Sequence, residues 1–120
     1  MDGGQPEAGL IFDAAGNLYG TTYLGGGSGS CGGVDCGSVF KLASNPDGSW
    51  TETTLHSFTG GTDGGRPFAG LVFDAAGNLY GTTQTGGDSG FCGGDGCGVV
   101  FKLAPTSSGW SETVLHSFLG

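Results

Sequence analysis

The stretch Phe12-Asp13-Ala14-Ala15-Gly16-Asn17-Leu18-Tyr19-Gly20-Thr21-Thr22 returns without a change as Phe73-Asp74-Ala75-Ala76-Gly77-Asn78-Leu79-Tyr80-Gly81-Thr82-Thr83. Phe73 stands 61 positions after Phe12, and the correspondence runs on beyond this core. Val39-Phe40-Lys41-Leu42 reappears as Val100-Phe101-Lys102-Leu103, and Leu55-His56-Ser57-Phe58 as Leu115-His116-Ser117-Phe118. The chain is therefore two copies of one unit, residues 2–61 and 62–120. Self-similarity at such a period predicts one supersecondary unit per copy, with a hydrophobic face that only a neighbouring copy can cover.

Within a unit the apolar runs are short and the punctuation is glycine, 29 residues in all, without collagen's every-third-residue rule. No window carries helical spacing with capping signals, so an all-β chain without helix is expected. Each copy reads as four strands. Leu10-Ile11-Phe12, apolar throughout, predicts a strand buried on both faces. Asp13 to Asn17 makes the turn of a hairpin, the Asp side chain bonding its own backbone two residues on. Its second strand, Asn17 to Thr22, contains Gly20, a sign of a bulge or of close approach by a neighbour. A cysteine-bearing glycine loop from Tyr23 to Gly37 leads to a third strand, Ser38 to Ala43. Asn45-Pro46-Asp47-Gly48 turns the chain again, and Trp50 to Phe58 alternates as a fourth strand. Strict alternation puts Trp50, Glu52, Thr54, His56 and Phe58 on one face. The second copy repeats the pattern and is one residue shorter at Pro105–Gly109, where a surface turn tolerates the loss.

Four-stranded units of about 60 residues match β-propeller blades, meander sheets packed face to face around an axis. The apolar first strand is expected innermost and the fourth outermost. Two blades cannot close a ring, which needs four to eight. The expectation is therefore homo-oligomerisation of three or four chains into six or eight blades. A dimeric sandwich or an open stack of blades is the alternative.

The succession Pro-x-Ala-Gly-Leu-Ile/Val-Phe-Asp-Ala-Ala-Gly-Asn-Leu-Tyr-Gly-Thr-Thr, Gly-Gly, Val-Phe-Lys-Leu and Leu-His-Ser-Phe-x-Gly resembles the GloVer repeat. That is the tandem repeat of "choice-of-anchor" bacterial surface and secreted proteins, and the motifs cover the chain from Asp2 to Gly120. The resemblance implies many consecutive repeats in an exported protein tied to the envelope by a separate anchor, and no known activity. Two repeats and no anchor stand here, so a segment of a longer array is expected. Over a shorter stretch, Asp-x-x-Gly-Asn-Leu-Tyr also resembles blades of NHL-type and gluconolactonase-like propellers.

Eleven acids against three bases give a net charge of −8. Lys41, Arg66 and Lys102 are too few and too scattered to follow a phosphate backbone, so nucleic acid is not an expected partner. No apolar run approaches the length of a membrane-spanning helix, and Met1-Asp2-Gly3-Gly4 is not a signal peptide.

Cys31 and Cys36 in one loop answer to Cys92 and Cys97 in the other, each pair separated by four glycine-rich residues. Pairing within each loop is the simplest of three connectivities, giving Cys31–Cys36 and Cys92–Cys97; a four-thiolate zinc site and free thiols are the alternatives. Disulfides agree with an exported location, secreted or at the cell surface. His56 and His116 each follow a Glu (Glu52, Glu112) by four residues, about 13 Å along a strand, too far for contact. A metal or acid–base role for them needs partners from the next unit. Asp13 and Asp74 read as turn caps, and Asp35, Asp88 and Asp95 in the cysteine loops as candidate calcium ligands without regular spacing. Trp50, Trp110, Tyr19, Tyr80 and Tyr23 are candidates for packing or for stacking on sugars. No nucleophile elbow, phosphate loop or His-Glu-x-x-His occurs.

These readings converge on a non-enzymatic structural or interaction scaffold that self-assembles, with no cofactor and no metal. A lectin-like module binding glycan or surface protein through disulfide-pinned loops is the second reading. A gluconolactonase-like hydrolase is the third.

Overall fold

The structure is a computed structural model that describes residues 4–6, 9–25, 35–68, 70–88, 90 and 92–120, the first three by backbone alone. It is all-β, with two antiparallel sheets, each drawn from one copy of the repeat. The first sheet holds β1 (Gly4–Pro6), β2 (Ile11–Phe12), β3 (Leu18–Leu24), β4 (Ser38–Ser44) and β5 (Trp50–Ser57). The second holds β6 (Gly65–Pro67), β7 (Val72–Phe73), β8 (Leu79–Thr85), β9 (Val99–Thr106) and β10 (Gly109–Ser117). Among the described residues the only helical turn is a 3-10 turn at Cys92–Gly94.

The expected four-stranded meander is present with its first strand broken in two. β1 and β2 both run antiparallel to β3 along the same edge, Pro6 opposite Thr22 and Ile11 opposite Tyr19. β4 and β5 follow on the other side, giving the order β1/β2, β3, β4, β5, and the second copy matches it strand for strand. The expectation that Leu10-Ile11-Phe12 is buried on both faces is wrong: Phe12 is 65% exposed and Leu10 and Val72 also face solvent. An apolar run needs layers on both sides to be covered, and this one lies at a sheet edge.

The glycine inside the second strand marks a close approach. Gly20 lies directly opposite Phe40 and Gly81 opposite Phe101. A Cβ at Gly20 would stand 2.8 Å from the Phe40 ring and 2.6 Å from Leu10; at Gly81 it would stand 2.7 Å from the Phe101 ring. The phenyl ring lies where any side chain would be, so only glycine fits.

The bulge is elsewhere. Thr54 pairs with Phe40 and His56 with Val39, leaving Leu55 as an extra residue; Val114 pairs with Phe101 and His116 with Val100, leaving Leu115. An extra residue reverses the in–out alternation beyond it. Residues directly opposite in a ladder share a face. One face of the first sheet thus carries Leu18, Phe40, Leu42, Glu52 and Thr54; the other carries Tyr19, Thr21, Val39 and, past the bulge, His56. The expected single face for Trp50 through Phe58 therefore fails at Leu55.

The two sheets pack face to face. Tyr19 of the first sheet meets Phe73 edge-on at 5.0 Å between centroids and Trp110 at 6.2 Å, and Phe58 meets Phe101 at 5.2 Å. Tyr19, Val39 and Phe58 join Leu79, Val99, Phe101 and Leu103 in one buried cluster. Each large apolar side chain buried there contributes about 1.5–3 kcal/mol relative to exposure.

Candidate functional site

The identical core of the repeat is explained by its turn. Asp13 Oδ1 accepts from the backbone N–H groups of Ala15 and Asn17, both at 2.9 Å. Its Oδ2 accepts from Asn17 Nδ2 at 3.0 Å and from the Tyr19 hydroxyl at 2.8 Å. Asp74 makes the same four bonds to Ala76, Asn78 and Tyr80. Gly16 and Gly77 take the left-handed conformation (φ 87° in both) that lets the chain reverse. Partial burial works against the Asp13 charge, but the hydrogen bonds from Asn17, Tyr19 and Ala15 outweigh it and hold the carboxyl at about 2. Burial and the same bond push the Tyr19 phenol up to about 12. The bonds from Asn78 and Tyr80 likewise hold Asp74 below the usual carboxylate range. Both aspartates are thus turn caps, as the sequence indicated, with every strong acceptor position engaged.

The two turns flank an open cleft of about 590 Å³ lined by Phe12, Tyr19, Phe73, Pro105 and Trp110, with Asp13 and Asp74 at its sides. The five aromatics considered for sugar stacking do not gather there. Tyr19 and Trp110 do; Tyr23 instead bonds Gln84 and packs against Phe68 at 6.1 Å, and Trp50 is exposed on the outer face of the first sheet.

At the junction of the copies three titratable side chains converge. His56 comes from β5, Asp63 from the link that follows it, and Glu112 from β10 of the next copy. His56 Nε2 lies 3.1 Å from Asp63 Oδ2 and 3.8 Å from Glu112 Oε2, and the three atoms all lie within 4.8 Å of one another. The bulge at Leu55 makes this possible. It turns His56 away from the face of Glu52 and towards the second sheet, whose facing side includes Glu112, opposite Leu103.

Asp63 is fixed by the turn at residues 59–64, accepting from Thr59 N and Oγ1 as well as from His56. Burial opposes its charge, but the bonds from His56 and Thr59 outweigh that and keep the carboxyl below its ordinary range. Glu112 is different. Its side chain is only 9% exposed, and Oε2 is fully enclosed without a hydrogen bond. Burial lifts this carboxyl to about 7, the His56 ring pulling the other way and the Asp63 charge adding to the rise.

In the second cysteine loop Cys92 and Cys97 form a disulfide, as expected from the spacing. Cys36 is also disulfide-bonded, and Cys31, its expected partner, lies outside the described residues. Neither Asp35, Asp88 nor Asp95 joins a group of three ligands among the described residues.

Sequence reasoning singled out His56 and the need for a partner from the next unit, but it missed Asp63. The available signal was that Asp63 has a counterpart at Asp2, so both copies open on an aspartate before Gly-Gly.

The family model described as the Gloeobacter/Verrucomicrobia repeat matches residues 1–120. No curated protein and no solved structure matches.

Proposed function

Because this chain belongs to the Gloeobacter/Verrucomicrobia repeat family, we propose that it is a non-enzymatic structural and interaction module, one whose repeats exist to pack on copies of themselves. The observation that carries this reading is the use made of the identical core. Asp13, Asn17, Tyr19 and Gly20, with their counterparts Asp74, Asn78, Tyr80 and Gly81, are engaged in building the hairpin and seating a phenyl ring. Residues kept for folding leave no pair of free carboxylates for acid–base work at the turns. The exposed Leu10, Phe12, Val72 and Leu119 give further copies an apolar surface to cover. Blades closing into a ring of three or four chains would cover it. The disulfide and the bacterial repeat family support an exported location, secreted or at the cell surface.

Light scattering coupled to size exclusion tests self-association directly. A trimer or tetramer is the expected mass, and a folded monomer at high concentration would overturn it. The aromatic cleft favours a second reading, a glycan-binding module. That reading expects saturable binding on a glycan array, lost in Trp110→Ala.

A further inference from the structure

We infer that His56, Asp63 and Glu112 form a divalent cation site clamping the two repeats together, with zinc-class ions as the fitting ligand. The three donors are one imidazole nitrogen and two carboxylate oxygens, a set that suits borderline transition cations better than calcium, which takes six or more oxygens. In a tetrahedral zinc site, bonds of about 2.0–2.1 Å set ligand atoms about 3.3 Å apart. The separations of 3.1 and 3.8 Å at His56 Nε2 bracket that value, and the third, within 4.8 Å, closes by a side-chain adjustment.

Glu112 supplies the independent sign of a missing partner. Its side chain is more than nine-tenths buried, and its enclosed Oε2 points at His56 Nε2 with no hydrogen bond of its own. Burying a carboxylate without a hydrogen bond is costly. Two carboxylates around one imidazole leave an excess of negative charge that a divalent ion neutralises. His56 and Asp63 remain 22% and 18% exposed, so an ion can enter from solvent and a water can fill the fourth position. Binding requires His56 Nε2 to be unprotonated and both carboxylates ionised; any proton on them is released as the metal enters.

The site is a property of the junction. Glu52 and His116 are the same residues one copy away, yet Glu52 and His56 lie on opposite faces of one sheet. A His from one repeat and an Asp and a Glu from the next are both required.

Metal-stripped protein titrated with zinc chloride tests this, by calorimetry and by thermal melting. One ion per chain is expected, with the melting temperature rising by at least about 5 °C at saturation. Glu112→Gln is nearly isosteric and removes a buried charge, so it should fold as well as the parent while losing at least tenfold in zinc affinity. His116→Ala should bind as the parent does. Cobalt added to the unsubstituted protein should give visible absorption without a thiolate charge-transfer band, which separates this site from a cysteine site. Absence of saturable uptake, undiminished binding in Glu112→Gln, loss in His116→Ala or a thiolate band would each overturn the assignment.

Discussion

Leu42 and Leu103 hold the same place in two copies of one sequence, yet Leu103 is completely buried and Leu42 only partly. Tyr19 and Tyr80 show the reverse, the first buried and the second only partly. The pattern is systematic. Leu79, Phe101, Leu103 and Trp110 line the face of the second sheet that meets the first, while Tyr19, Thr21 and Val39 line the face of the first that meets the second. Their counterparts on the two outer faces are less covered, Trp50 being 47% exposed. The same residues do different energetic work depending on which neighbour is present, as expected of repeats stabilised by nearest-neighbour interfaces.

Pairwise truncation is the strongest way to break that comparison. Leu103→Ala should cost about 3 kcal/mol and Leu42→Ala about 1 kcal/mol in urea unfolding of the isolated chain. Equal losses under conditions where the chain is a monomer would mean that the outer face is covered after all. A Leu42 loss rising with protein concentration would show that another copy covers it. Trp110→Ala should cost about 2 kcal/mol through its lost contact with Tyr19, against at most about 0.5 kcal/mol for the exposed Trp50→Ala.

The turns sharpen the comparison because their hydrogen bonds are the same. Asp13→Ala should destabilise by about 1 kcal/mol, and Asp74→Ala should act in the same direction but less, since Tyr80 is the more exposed partner. The smallest effect is in alkaline titration followed by ultraviolet absorbance. Tyr80, held up chiefly by its bond to Asp74, should ionise before Tyr19, held up chiefly by burial to about 12. The folded-state value of Tyr19 lies above that of an unfolded tyrosine, near 10. Its contribution to stability is therefore complete below about pH 10 and lost as pH rises through about 12. A single coincident transition for both tyrosines would remove the distinction between the faces.

Much of this was legible in the residues. Asp-x-x-Gly-Asn specifies its turn through bonds made within six residues, so Asp13 and Asp74 could be read as caps. The meander order follows from short links, and Gly20 announced a close approach. Burial of Leu10-Ile11-Phe12 was misread because an apolar run tells how much surface can be buried and not whether a neighbour stands there to bury it. The face of His56 was misread because no glycine or proline marks the extra residue at Leu55; that register is settled by pairing with Val39 and Phe40, far off in sequence. The junction cluster inherits that difficulty, drawing one side chain from each of three segments.

Leu55 therefore acts as a parity bit for the chain. Taking it into a regular ladder opposite Val39 would leave every ligand of the junction in the sequence, at the same spacing, and send the imidazole to the opposite side of its sheet. A lineage of such repeats could gain or lose cross-linking between adjacent units by forming or losing this bulge, with no ligand ever mutated. Comparing residue identities and spacings alone would miss the change, whereas the pairing of the histidine with Val39 would show it.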